Sequence, residues 1–346
     1  MLKNRTVQFL FSKYLFISFL VTTLIIPAIS LADADRIFKE NSKAVVVVIA
    51  YDKQDKPISQ GSGFIVRPDG AIVTNYHVIS NAVDIKVKVG DKLLKVEGLL
   101  HIDKENDIVI LKAKGKDLSV IKIGDIEKVS VGEKVYVISS PEGLENTISD
   151  GVLSGIRELD PKRKILQITA PISKGSSGGP VFNKNGEVIG IATFLIEEAQ
   201  NLNFAMPVEL IKDKIGKKKI TALKDTEIEE YEKTADYWFV RGYYYEEAGL
   251  HKKAIEAYKQ AIRIKPDIAE AHSNLGVIYS KSGMYREAME AFNQAIRIKP
   301  DYAKAHYNLG IIYLVLNDRG SALEQYKILK TLDPEMANQL FNLIYE

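Results

Sequence analysis

From residue 45 onward, short apolar runs alternate with turn residues at a strand-like interval. Val45 to Ala50 is an unbroken, mostly β-branched run. Gly63 to Val66 and Ile72 to Thr74 flank the turn Pro68-Asp69-Gly70, and Asp84 to Val89 alternates into Gly90-Asp91. With Leu93 to Leu100 and Ile108 to Ala113, these predict one antiparallel unit of about six strands, closed at Lys114-Gly115-Lys116-Asp117. A second set follows at Val120 to Ile123, Lys134 to Ile138, Thr147 to Arg157, Ile165 to Ala170, Val181 to Phe182, Val188 to Leu195 and Asn203 to Met206. Its link Asn183-Lys184-Asn185-Gly186 ends on a hairpin dipeptide. A polar helix over Asp33 to Ser42 precedes the strands, and Pro207-Val208 opens another short helix after them.

At Ala235 the pattern changes to a long repeat. Gly242, Gly276 and Gly310 stand 34 residues apart, as do Tyr245, Tyr279 and Tyr313, Ala254, Ala288 and Ala322, and Pro266, Pro300 and Pro334. Small residues let two helices approach closely, and the proline stops the second helix of each unit. The columns resemble the tetratricopeptide (TPR) repeat, in units 235–268, 269–302 and 303–336. His272 stands where that signature has tryptophan, which Trp238 supplies in the first unit. Glu335 to Glu346 carries Met336, Leu340 and Ile344 on one face, as a capping helix should. Resemblance to such repeats implies a groove for an extended or helical peptide, with Phe239, Val240, Tyr243, Asn274, Val277, Lys304, Tyr307, Asn308 and Ile311 facing it. Ordinary repeat packing is the competing reading for each of them. The equivalent His272 and His306 are read as interhelix packing rather than metal ligands.

Composition narrows the function. Setting aside Lys3, Arg5 and Lys13 of the first 32 residues leaves 44 bases against 45 acids, so no global charge favours nucleic acid. Without cysteine, disulfides and thiolate metal sites are excluded. Three N-terminal bases, an apolar stretch from Tyr14 to Ile29 broken by Pro27, and Ser30-Leu31-Ala32 predict a cleaved export signal over 1–32. An uncleaved membrane anchor is the alternative. The charged stretch 212–234, with Lys217-Lys218-Lys219 and then Glu227, Glu229, Glu230 and Glu232, reads as a solvated linker. It separates a β region over 33–211 from the repeats over 235–346.

The candidate chemistry centres on Lys174-Gly175-Ser176-Ser177-Gly178-Gly179-Pro180. Flanking glycines let the backbone turn sharply and bring N–H groups to a reacting carbonyl while the serine hydroxyl stays exposed. Alone, such a stretch is also a plain glycine-rich turn or a phosphate loop. A serine nucleophile needs a base and an orienting acid. Thr74-Asn75-Tyr76-His77-Val78 follows one strand, and Asp107-Ile108-Val109 opens another. The order His77, Asp107, Ser177 is the chymotrypsin order rather than that of subtilisin or the α/β-hydrolases. With base and acid in the first β unit and serine in the second, the site is expected at their interface.

Gly61-Ser62-Gly63-Phe64-Ile65-Val66, Thr74 to Val78, Asp107 to Val109, Gly175 to Pro180, Ile189-Gly190-Ile191 and Asn203 to Pro207 together resemble the HtrA (Deg) group of trypsin-like serine proteases, over roughly residues 40–211. The resemblance implies two six-stranded β-barrels, work outside the cytoplasm and degradation of misfolded proteins. It implies Ser177 as nucleophile, His77 as general base and acid, and Asp107 as the group fixing the imidazole. The N–H groups of Gly175 and Ser177 would form the oxyanion hole, with Ser176 a neighbouring candidate. It puts Ile172 and the strand Thr193, Phe194, Leu195 at the primary pocket, which implies cleavage after small or medium apolar residues. Ser176 stands where digestive relatives have an aspartate that pairs with a new N-terminus, so that activation route is unavailable. Helical repeats replace the PDZ domain usual in this group.

The expectation is therefore an exported, ATP-independent serine endopeptidase that needs no cofactor and no metal. Its partners would be protein or peptide substrates and a protein held in the TPR groove, with no nucleic acid; membrane association through the N-terminus and oligomerisation stay open. The alternative is a repeat-based adaptor or chaperone whose protease domain is idle or conditional.

Overall fold

The computed structural model describes residues 33–140, 146–160, 163–195 and 202–346. The segment read as export signal or anchor lies outside them. Helix α1 (33–41) leads into the first barrel: β1 (Val45–Tyr51), β2 (Pro57–Arg67), β3 (Ala71–Asn75), β4 (Asp84–Val89), β5 (Lys92–Asp103) and β6 (Ile108–Ala113). Its strands run in the order β5-β4-β1-β2-β3-β6, and pairing of β5 with β6 closes it. The alternation in β4 sets its faces: Ile85 and Val87 are buried, while Lys86 reaches out to Asp55 at 2.9 Å.

The second barrel is closed in the order β10-β11-β12-β9-β8-β7, from β7 (Lys134–Ser139), β8 (Thr147–Asp160), β9 (Arg163–Ile168), β10 (Pro180–Asn183), β11 (Val188–Leu195) and β12 (Asn203–Pro207). The strand expected over Val120 to Ile123 does not form. That segment connects the barrels and makes a single bridge, Ile123 to Val188, with Gly124 donating to the Val188 carbonyl at 2.7 Å.

The stretch beyond the short helix α2 (Glu209–Lys212) is mostly exposed, as a solvated segment should be, but it is tied to the first barrel. The Ile215 and Lys217 carbonyls accept from Arg67, β13 (Thr221–Ala222) adds to the edge of β5, and Lys104 pairs with Glu229. Its polar composition hid this because the attachment is made by backbone groups, the Lys104–Glu229 pair, the buried Tyr231 and the isolated apolar residues Ile215, Leu223 and Ile228 rather than by an apolar run.

Six helices form three antiparallel pairs: α3 (Ala235–Glu247) with α4 (His251–Ile264), α5 (Ala269–Lys281) with α6 (Tyr285–Ile298), and α7 (Ala303–Val315) with α8 (Arg319–Leu332). Helix α9 (Pro334–Tyr345) caps the stack with Leu340 and Ile344 buried. His272 and His306 bond to the carbonyls of Pro266 and Pro300, both at 2.9 Å, so each ring ties its helix to the preceding turn.

The periodic glycines are points of close approach. A Cβ at Gly276 would lie 2.8 Å from the Phe292 ring, whereas Gly310 is covered by Leu340 of the cap. Overpacking costs about 1–3 kcal/mol, and alanine's better helix propensity returns about 1 kcal/mol. Gly276→Ala is therefore expected to lower stability by up to about 2 kcal/mol. The denaturant midpoint of helix loss measures this, and a raised midpoint would refute it.

The repeats do not hang free of the barrels. Phe204 of β12 stacks on Tyr244 of α3 with centroids 4.4 Å apart, and the Arg163 guanidinium lies 5.2 Å over the Phe239 ring. Arg157 pairs with Glu247 at 3.3 Å. One apolar core runs from Ile37 and the first barrel through Phe204 and Tyr231 into Phe239, Tyr258 and Phe292. An aromatic pair of this kind is worth about 0.5–1.5 kcal/mol beyond its buried area.

Candidate active site

Strand register brings the first two groups together. In the β3–β6 pair Thr74 faces Val109 and Asn75 faces Ile108, so His77, just past β3, meets Asp107, just before β6. His77 Nδ1 lies 2.6 Å from Asp107 Oδ2, and the His77 backbone N–H donates to Oδ1 at 2.8 Å. Asp107 adopts φ 55, a left-handed conformation that aspartate tolerates better than most residues. Its carbonyl is held by Tyr76 N–H at 3.1 Å and Asn75 Nδ2 at 2.8 Å.

The third donor to the carboxylate comes from the second barrel. Pairing of β11 with β12 shifts register between Ala192 and Phe194, leaving Thr193 as the extra residue of a bulge. The Thr193 hydroxyl donates to Asp107 Oδ2 at 3.0 Å and is buried. The Thr193 hydroxyl is thus spent on the carboxylate, while the residue also lines the cavity over Ser177. Ile172 packs against the core of the second barrel. The Phe194 and Leu195 side chains lie outside the described residues.

Ser177 lies in the loop between β9 and β10, which the first barrel clamps. Ser62 donates its N–H to the Ser177 carbonyl at 2.8 Å and its hydroxyl to the Gly175 carbonyl at 2.6 Å, while Ser140 N–H donates to the Ser62 hydroxyl at 2.9 Å. Gly178 has φ 85, and a Cβ there would lie 2.2 Å from the Ser62 carbonyl oxygen, so this turn requires glycine. Ser62 is fully buried; its only sequence signal is its place between Gly61 and Gly63.

His77, Asp107 and Ser177 line one cavity. The Ser177 hydroxyl donates to the Thr193 carbonyl at 3.4 Å, and no hydrogen bond joins it to His77 among the described residues. The Ser176 N–H is committed to the Ser173 carbonyl at 2.9 Å, which removes it from the candidate oxyanion donors and leaves Gly175 and Ser177. Ser176 turns its hydroxyl inward, 3.0 Å from that of Ser139.

Burial pulls the His77 pKa down, but the charge and hydrogen bond of Asp107, with Glu232 adding to them, leave it raised overall. The side chain keeps 32% of its surface exposed, so its second nitrogen has access to the cavity. Tyr231 stacks on the imidazole with centroids 6.4 Å apart and bonds through its N–H to Ser80 at 2.8 Å.

The groove residues divide. Phe239 is buried under Arg163 of the second barrel, Tyr243 is buried beside Tyr244, and buried Asn274 donates to the Tyr258 hydroxyl at 3.3 Å. Val240 lines the Ser177 cavity. Val277, Tyr307, Asn308 and Ile311 are partly exposed, and Lys304 is exposed. Sequence periodicity could not separate these sets, because a first repeat docked on another domain reads like a free one.

Residues 61–191 match the family model described as trypsin-like peptidase domain, and residues 242–283 and 278–317 match that of the TPR repeat. The chain is 37% identical over 168 residues to the "Probable periplasmic serine endoprotease DegP-like" of Pseudomonas fluorescens, covering 47% of this chain and 35% of that protein. It is 35% identical over 173 residues to the "Anti-sigma-I factor RsgI9" of Acetivibrio thermocellus, covering 49% and 24%. A solved serine endoprotease from Yersinia pestis aligns at 30% identity and a TM-score of 0.47, over 52% of this chain and 64% of that one. The chain thus spans about a third or less of the length of these curated relatives.

Proposed function

From a trypsin-like peptidase domain followed by TPR repeats, we propose an exported serine endopeptidase that acts on unfolded or partner proteins engaged by its helical region. The observation that carries this reading is the 2.6 Å bond from His77 Nδ1 to Asp107 with Ser177 in the same cavity. Ser177 Oγ attacks the scissile carbonyl carbon while the free nitrogen of His77 takes its proton. Asp107 keeps the other proton on Nδ1, and the N–H groups of Gly175 and Ser177 receive the oxyanion. His77 returns the proton to the leaving amine, and water then hydrolyses the acyl-enzyme by the same route. The relative named periplasmic and the N-terminal pattern support export. Val277, Lys304, Tyr307, Asn308 and Ile311 remain for a protein partner.

A second reading, an adaptor whose peptidase is conditional, draws on the Ser177 hydroxyl resting on Thr193 rather than on His77. Fluorophosphonate labelling with and without unfolded protein separates the two. Labelling at rest marks a constitutive peptidase, labelling only with unfolded protein a conditional one, and no labelling in either state an idle domain.

The base must be neutral, so activity should rise with pH through a midpoint above the ordinary histidine value of about 6.5. Glu232→Gln removes a negative charge that favours the imidazolium. It is expected to move the acid limb of kcat/KM to lower pH, by an amount that shrinks with added salt. An unmoved limb in low salt would separate Glu232 from the base.

A further inference from the structure

The space over Ser177 is walled on one side by the helical region. A cavity of about 340 Å³ lies between His77, Asp107 and Ser177 and a wall that includes Tyr231, Tyr237 and Val240. Ligand cavities run from about 300 to 1,000 Å³, so this one has room for a side chain or two and not for a folded partner. The wall is held in place by the Phe204–Tyr244 stack, the Arg163–Phe239 contact and the Arg157–Glu247 pair.

Two polar groups of the lining are unspent. The Tyr231 hydroxyl and Asn106 Oδ1 are buried with no hydrogen-bond partner among the described residues. Leaving such a group unpaired is costly, and a bound molecule supplying the missing partners recovers that cost. Burial, then the charge of Asp107, hold the Tyr231 hydroxyl far above its ordinary pKa, so it stays a protonated donor. Asn106 Oδ1 can only accept. A peptide backbone offers both complements, a carbonyl and an N–H.

We propose that α3 and Tyr231 form part of the peptidase's substrate site, where the cavity takes a large apolar or aromatic side chain of a polypeptide beside the scissile bond. Tyr231 donates to the bound backbone and Asn106 accepts from it, while Val240 sets the depth available to the side chain. This rests on the endopeptidase reading above. The first repeat is then a piece of the cleft as well as a support for the repeats that follow.

The test is cleavage-site mapping on a denatured protein with full-length wild type, Val240→Trp and Val240→Ala, each rate expressed per fluorophosphonate-labelled site, and with Ser177→Ala at equal protein concentration as the blank. Wild type should enrich large apolar residues at one fixed position near the cut. Val240→Trp should shift that position toward small residues, and Val240→Ala should relax it toward larger ones, each by about tenfold or more in relative kcat/KM. If the tryptophan variant does not fold, the alanine variant decides. Profiles unchanged in the labelled variants would overturn the proposal and leave the peptidase standing. Wild type without labelling or Ser177-dependent cuts would overturn both.

Discussion

Ser177→Ala is expected to lower kcat for peptide-bond hydrolysis by about 10⁶-fold, leaving a residue of about 10³ to 10⁴ over water from binding and oxyanion stabilisation. The fold should survive the change. The hydroxyl makes one long hydrogen bond, 3.4 Å to the Thr193 carbonyl, while the loop is held by backbone groups that alanine keeps, the Ser177 carbonyl on Ser62 N–H and the Gly178 N–H on the Ala192 carbonyl at 2.7 Å. The loss should therefore appear in kcat with unfolded-protein binding intact, measured by turnover of a denatured substrate alongside pull-down with the same protein. Activity within tenfold of wild type would remove Ser177 from the chemistry. Because the resting hydroxyl is not on His77, the comparison needs saturating unfolded protein, where a conditional site is assembled.

The strands and the repeat helices were legible because their signals lie in the sequence pattern itself, whereas closure into two barrels came from the family resemblance. The β-branched run at Val45, the alternation of Asp84 to Val89 and the 34-residue columns each name an element without reference to the rest of the chain. His77, Asp107 and Ser177 could be picked out because each stands at a strand end or in a glycine turn. The missed features depend on contacts across long separations. The bulge that turns Thr193 onto Asp107 is a difference of one residue between paired strands. Ser62 acts on a loop more than a hundred residues away. The docking of Tyr231 and α3 beside His77 is carried by scattered aromatics inside a charged stretch and a repeat, where the same residues would serve equally well in a free helix.

Asp107→Asn is expected to cost about 10⁴-fold in kcat, the scale seen where this aspartate is amidated in a triad of this type. The backbone is not the reason, since asparagine also tolerates φ 55. The carboxylate receives three donors, the His77 N–H on Oδ1 and the His77 ring and Thr193 hydroxyl on Oδ2. An amide has one acceptor oxygen. If that oxygen takes the place of Oδ2, the NH₂ group faces the His77 backbone N–H, donor against donor. If it flips, the NH₂ meets the ring, Nδ1 becomes the acceptor and the proton moves to the nitrogen that should take it from Ser177. Thr193→Ala removes one hydrogen bond to a charged group, about 1.5–3 kcal/mol or roughly 10- to 150-fold, and leaves the tautomer alone. Steady-state kinetics on one peptide should therefore rank Asp107→Asn well below Thr193→Ala, with KM similar in both. Equal losses would make the carboxylate a structural anchor for the two barrels, and the imidazole would no longer be identified as the base.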